Sequence, residues 1–122
     1  MIQGEGFTIN ESKFDFFFGR VISSPDNTRR SRDNLEGLRQ LGIEEAAGGR
    51  IRLMQIFQEG LNAPIIKIKR KQYGTTILRQ VEIGGREVPG AIAISYFYPN
   101  NNLNAIPEIT SIIPKLYPEQ QT

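Results

Sequence analysis

The 122-residue chain has no cysteine and no histidine. Without cysteine there are no disulfides and no thiolate metal sites, and the sequence carries no mark of its redox compartment. Without histidine the chain lacks the commonest general base, the commonest zinc ligand and any Ser-His catalytic pair. A metal site would need carboxylates and carbonyls, and no D-x-D or EF-hand spacing offers one. No metal and no cofactor is therefore expected. Long apolar runs are missing too. The longest, such as Ala91 to Ile94, is far too short to cross a bilayer. Met1 to Gly6 has neither the basic start nor the apolar core of a signal peptide. The expectation is a cytoplasmic protein, or one exported as part of something larger, with no membrane contact.

What is present suits one soluble domain. Hydrophobic residues make up 39% of the chain, and this length allows one core and not two. We expect a single domain over 1–122, with its ordered core at about 13–114. Net charge is +2 and the isoelectric point is near 9.1, a mild bias toward anionic partners. The distribution is sharper. From Pro64 to Val81 lie Lys67, Lys69, Arg70, Lys71 and Arg79, with no acid.

The chain is organised around Ser23 to Ile43. Ser24 is a fitting N-cap and Pro25 a fitting first helical residue. Leu35, Leu38 and Leu41 then recur at helical spacing, and Gly42 stops the helix with Ile43 folding back on it. Before this helix, residues 1–12 read as a flexible lead-in with an extended piece at Phe7 to Ile9. Phe14, Phe17 and Phe18 fit a short helix capped by Ser12 and ended by Gly19, with a strand as the rival reading because aromatics favour strands too, and they belong to the core. After it, Glu44 and Glu45 favour a second helix start. Its firm part is Arg50 to Glu59, with Leu53, Met54 and Phe57 as core stripe and Ile51 beside them.

Four strands follow. Ile66 and Ile68 alternate with Lys67 and Lys69, which predicts a half-buried strand with a basic outer face. Thr75 to Ile83 is the second, Ala91 to Tyr98 the third and central one, and Ile109 to Ile113 the fourth, ended by Pro114. Turns are expected at Gly84-Gly85 and Pro89-Gly90, and a frayed tail from Lys115. Short turns between consecutive strands imply antiparallel neighbours. The fold class is α+β: N-terminal helices packed on a four-stranded antiparallel meander.

The chemistry concentrates in two places. Arg29, Arg30 and Arg32 sit in the first turns of the main helix, where free amides and partial positive charge already favour anions. The plain alternative is a solvated face, with arginines paired to Asp33 and Glu36 at i, i+4. Lys67, Lys69 and Lys71 share one strand face and suit a phosphate backbone; an edge strand guarded by lysines is the plain alternative. Tyr73 nearby suits stacking on a base or ordinary packing. Of Thr110 and Ser111, strand alternation turns one inward and one outward. A candidate site between the helix start and the basic strand would hold Asp26 and Arg30 as catalytic groups, with Asn27, Arg29, Lys67, Lys69 and Lys71 binding an anion.

The pattern Lys13…Phe17-Phe18, Ser24-Pro25-Asp26-Asn27…Arg30-Ser31, Leu38…Leu41-Gly42-Ile43 resembles small uncharacterised domains at the C-termini of bacterial polymorphic toxins and their free-standing relatives. Tyr73-Gly74 and Pro107…Thr110-Ser111…Ile113-Pro114 resemble later landmarks of that group. The likeness runs from about Lys13 to Pro114. Such relatives often carry histidine beside the loop asparagine, where this chain has Asp26, so a mechanism built on that histidine would be absent or altered. The order of elements also resembles the fold of barnase-like and colicin-type ribonucleases, which is an analogy of fold and not of site. The resemblance implies a toxin-system setting, with an immunity protein or a toxin as partner.

Two functions compete on these residues. One is a non-catalytic binding or accessory module, favoured by the absent histidine and the lack of paired carboxylates. The other is a metal-independent, toxin-type ribonuclease. Its Arg and Lys side chains would stabilise phosphate charge, and a carboxylate such as Asp26 would move the proton. RNA or another polyanion is the expected partner on the nucleic-acid readings, and a toxin or immunity protein on the protein-partner reading; salt-sensitive RNA binding separates them.

Overall fold

The computed structural model describes residues 1–84 and 89–117. The aromatic spacing near the N-terminus gives α1 (Lys13–Phe17), which buries Phe14 and Phe17; Phe18 just beyond it is buried as well. Ser12 does not cap it, being itself in helical backbone. Asn10 takes that place. Its Oδ1 accepts from the Ser12 amide at 3.0 Å and from the Ser12 hydroxyl at 2.9 Å, the local reach that makes asparagine a turn former.

α2 (Pro25–Gln40) starts as its sequence dictates. Ser24 is extended, and its hydroxyl accepts from the Asn27 amide at 3.1 Å. The helix ends in a Schellman motif. Gly42 has φ 81°, the Ile43 amide donates to the Leu38 carbonyl at 2.8 Å, and the Gly42 amide donates to Arg39 at 3.0 Å. The next helix does not begin at Glu44-Glu45. A single 3-10 turn (Glu45–Ala47) forms there, and Gly48 at φ 80° breaks it. A left-handed residue cannot continue a right-handed helix, and glycine adopts it without steric cost. α3 then runs over Gly49–Gly60 and buries Leu53, Ile56 and Phe57. Ile56, not Ile51, completes the stripe, because i, i+3 and i+4 from Leu53 define the inward face; Ile51 is 68% exposed.

β3 (Ile65–Lys71), β4 (Gly74–Ile83), β5 (Gly90–Pro99) and β6 (Glu108–Leu116) form the expected antiparallel meander. The sheet is larger than four strands. β1 (Ile2–Gln3) and β2 (Thr8–Ile9) extend it to six in the order β1-β2-β6-β5-β4-β3, with β2 parallel to β6, so the sheet is mixed. The lead-in is thus built into the fold, and Phe7 and Ile9 are wholly buried. β6 also passes through Pro114, which pairs with Ile92, and reaches Leu116. Proline is tolerated there because β2 covers only Glu108 and Ile109 of the far side of β6, leaving an edge at Pro114. The tail expected to fray from Lys115 is strand to Leu116. Residues 118–122, and Gly85 of the expected Gly84-Gly85 turn, lie outside the described residues.

Register separates two faces. Ile77, Val81 and Ile83 of β4 pair with Tyr96, Ile92 and Gly90 of β5, and Ile94 and Tyr96 of β5 pair with Ile112 and Ile109 of β6. This face packs on the helices. The Tyr96 hydroxyl donates to the Phe57 carbonyl of α3 at 2.7 Å, and Gly60 lies so close to Tyr96 and Ile94 that a Cβ there would collide with both. α2 and α1 lie against β6, and α3 against β4. β3 is the edge beyond this helix layer. All seven of its residues are exposed, so neither face of the strand is buried, against what the alternation of Ile66 and Ile68 predicts.

Candidate functional site

On the sheet's other face, the ladder of β5 and β6 carries an irregularity. Ser95 pairs with Ser111 and Tyr96 with Ile109, so β6 has one extra residue, Thr110. A bulge sets two residues against one and re-aims side chains. Strict alternation would turn Thr110 and Ser111 to opposite faces. Instead both line the same two clefts. The Ser111 hydroxyl meets the Ser95 hydroxyl at 2.9 Å, and the Thr110 hydroxyl approaches the Ser95 carbonyl at 3.4 Å.

The two clefts adjoin at these hydroxyls. One, of about 410 Å³, opens toward Ser12, Lys13, Asp15, Phe16 and Arg30. The other, of about 280 Å³, opens toward Lys69, Lys71, Tyr73, Thr76 and Phe97. Thr110 and Ser111 line both, so this groove region has Lys13 and Arg30 on one side of the hydroxyls and Lys69 and Lys71 on the other. Arg30 is placed by its surroundings. Its guanidinium lies 5.8 Å from the centre of the Phe16 ring, a cation–π distance. The neighbouring Ser31 is fully buried, and its hydroxyl donates to the Phe16 carbonyl at 2.6 Å while accepting from the Val21 amide at 3.4 Å. That pair of bonds ties α1 to α2 at the groove's rim. Tyr73 stands exposed at the other end, its ring 6.1 Å from that of Phe97.

Charge in the groove is mostly positive. Asp15 is its one acid, and Arg20 engages that carboxylate at 2.9 Å. Arg20 also bonds Glu45, and these two partners, Glu45 first, hold its guanidinium pKa above the usual value. Lys13, Arg30, Lys69 and Lys71 form no ion pair with an acid among the described residues. Among the described residues no cluster of carboxylates could hold a metal ion.

The residues singled out from the sequence are divided by the fold. Arg30, Lys69 and Lys71 line the groove. Lys67 shares the strand face of Lys69 and Lys71, pairing with Leu78 one rung beyond Thr76, but does not line the cleft. Asp26, Asn27 and Arg29 stay at the start of α2. Asp26 pairs with Arg29 at 2.8 Å, and Asn27 bonds Ser23 and Ser24. Arg29 and Arg32 flank a separate shallow hollow with Ser23 and Thr28. The ion pairs on α2 are Asp26–Arg29 and Glu36–Arg39, both i, i+3, rather than the expected i, i+4 pairs. Arg79 leaves the basic row altogether: it faces the helices and donates to the Ala63 carbonyl at 2.6 Å. Lys13, Asp15, Thr76 and Ser95 were not singled out as site residues. Only the pairing of β3 with β4 and of β5 with β6 brings the last two beside Lys69 and Ser111.

No helix among the described residues is long and apolar enough to cross a membrane. No family model and no curated relative matches the sequence. The fold does have a solved counterpart. A chain of a contact-dependent growth inhibition toxin–immunity protein complex from Klebsiella pneumoniae 342 superposes with a TM-score of 0.71 at 19% identity, over 88% of this chain and 99% of that one. The chain therefore shares the α+β fold of a component of that complex.

Proposed function

We propose that this chain is a toxin-system domain that binds RNA along the groove whose two clefts meet at Thr110 and Ser111 and cleaves it without a metal. The observation that carries this reading is the bulge at Thr110-Ser111. It joins a cleft holding Lys13 and Arg30 to one holding Lys69 and Lys71, giving a cationic track with hydroxyl donors at its centre. The shared fold with a member of a toxin–immunity complex supports the setting, an immunity protein or cognate toxin being the natural protein partner.

Cleavage of RNA by attack of its own 2′-hydroxyl on the adjacent phosphorus needs no protein nucleophile. It needs the phosphate held, its developing charge stabilised and a proton moved. Arg30, Lys69 and Lys71 supply charge, and Arg30 can engage two phosphate oxygens at once. Thr110, Ser111 and Ser95 supply hydroxyl donors. Tyr73, exposed at the rim, offers a ring for a base. Asp15, the carboxylate lining the groove, takes the proton-accepting role in place of Asp26, which pairs with Arg29 away from it.

The second reading is a non-catalytic RNA-binding or accessory module. It is favoured by Asp15 itself, whose carboxylate is already engaged by Arg20. Incubation of the protein with structured RNA in excess EDTA separates the two. The ribonuclease reading expects fragments ending in a cyclic phosphate, lost in Arg30→Ala and Asp15→Asn while Asp15→Asn still binds. Salt-sensitive binding with no cleavage selects the accessory module. Neither binding nor cleavage contradicts both.

A further inference from the structure

β3 is a bare sheet edge of unusual make-up. It ends the sheet, and all seven of its residues are exposed. The sheet's other free margins are blunted: β1 has two residues, and the open side of β6 contains Pro114 and lies beside α2. β3 is regular from Lys67 to Lys71 after a bulge at Ile66. Its two faces differ in chemistry. Lys67, Lys69 and Lys71 pair with Leu78, Thr76 and Gly74 and face the groove side. Ile68 and Arg70 pair with Ile77 and Thr75 and face the helix side, beyond the helices' reach. There Ile68 is 50% exposed, and Arg70 lines a hollow with Leu103, itself 48% exposed; Ile66, in the bulge, is 45% exposed.

Lysines alone would explain a guarded edge. They do not explain isoleucines left half-bare beside them. An RNA reading accounts for the groove face only, because Ile66 and Ile68 offer nothing to a phosphate backbone. We infer that β3 is the docking strand for an acidic protein partner, which adds its own edge strand antiparallel or parallel to Lys67–Lys71 and lays apolar side chains on Ile68 and Leu103. Main-chain hydrogen bonds give such a complex its affinity, and alternate side chains give it specificity. The partner's acidity follows from the strand's charge, which is four cations and no acid over Ile65–Lys71. The same charge excludes a second copy of this chain, since two β3 strands side by side would oppose like charges. A partner strand seated here also obstructs the end of the groove at Lys69 and Lys71; that consequence, unlike the docking itself, rests on the RNA reading.

The test uses the whole protein and a synthetic acidic strand as probe: alternating glutamate and valine, as long as β3, with blocked ends. Hydrogen exchange is followed along the chain as the peptide is added. The expected result is slowed exchange confined to Ile65–Lys71 and the residues it pairs with. Two controls isolate the cause. The same peptide N-methylated at alternate amides keeps its charge but cannot complete a ladder, and should bind about tenfold more weakly or worse, a loss on the scale of 1.4 kcal/mol. Ile68→Lys adds a charge that would tighten a purely electrostatic contact, and should instead weaken binding by a similar factor. The inference is overturned by N-methylated peptide binding equally, by Ile68→Lys binding as well or better, by protection lying elsewhere, or by the protein alone dimerising through β3. None of these readouts needs RNA, so they stand apart from the fate of the groove.

Discussion

The hydroxyls of Ser111 and Ser95 meet at 2.9 Å across neighbouring strands. Each serine carries one donor, and their mutual bond uses one of the two. One hydroxyl proton is therefore left for a ligand in the groove. Ser111→Ala removes a hydroxyl and leaves Ser95, its neighbour, lining the cleft without that partner. We expect a stability change within about 1 kcal/mol in a denaturant titration, and RNA affinity lower by about threefold to tenfold. Ser111→Thr keeps the hydroxyl and should recover most of that affinity. Equal affinity in all three proteins would remove the serine pair from the site.

Leu38 is the strongest packing test. It is fully buried, and its carbonyl receives the Ile43 amide of the Schellman cap. Leu38→Ala should cost about 2–5 kcal/mol, the range for buried leucine truncations. A loss below about 1 kcal/mol would mean that the site collapses around the cavity, or that the helix packs otherwise.

Tyr96 predicts an alkaline limit. Desolvation by burial raises its phenol pKa well above the usual value of 10.0, with a smaller rise from Tyr98 opposed by Arg79. The folded state thus favours the neutral phenol more than the unfolded state does. That contribution is fully present below the unfolded pKa, and is lost as pH rises from about 10 toward the folded value. Unfolding free energy should fall above pH ~10 in the wild type and fall less in Tyr96→Phe. At neutral pH Tyr96→Phe should cost about 1–3 kcal/mol, because the bond to the Phe57 carbonyl is lost. Parallel pH profiles for the two proteins would contradict this account.

Much of the fold was legible because its signals were local. Ser24-Pro25 and Gly42-Ile43 set the limits of α2 through chemistry carried in a few residues. Phe14, Phe17, Phe18, Leu38, Leu53 and Phe57 announced their burial by spacing. The misses were long-range. β1 and β2 have two residues each, too few to show a period, and β2 finds its parallel partner about a hundred residues later in β6. Ile66 and Ile68 alternate like half-buried residues, but whether a helix covers them is decided by where α3 lies. The site was legible only in part. Arg30, Lys69 and Lys71 stood out as cations. The bulge that turns both Thr110 and Ser111 to the groove, and the register that brings Ser95 to them, exist only once β5 and β6 are paired. Asp26 stood out as a lone carboxylate among cations, and its partner proved to be Arg29 one turn along its own helix.

The most direct measurement is the salt dependence of RNA affinity for the wild type, Arg30→Ala, Lys69→Ala and Arg29→Ala. Each phosphate contact adds about 0.7 to the slope of log affinity against log salt for a single strand. The groove account predicts a steep wild-type slope, a slope lower by about 0.7 and weaker binding in Arg30→Ala and in Lys69→Ala, and no change in Arg29→Ala, whose side chain is paired with Asp26 outside the groove. A wild type that fails to bind RNA at low salt, or a loss in Arg29→Ala as large as in Arg30→Ala, would contradict it.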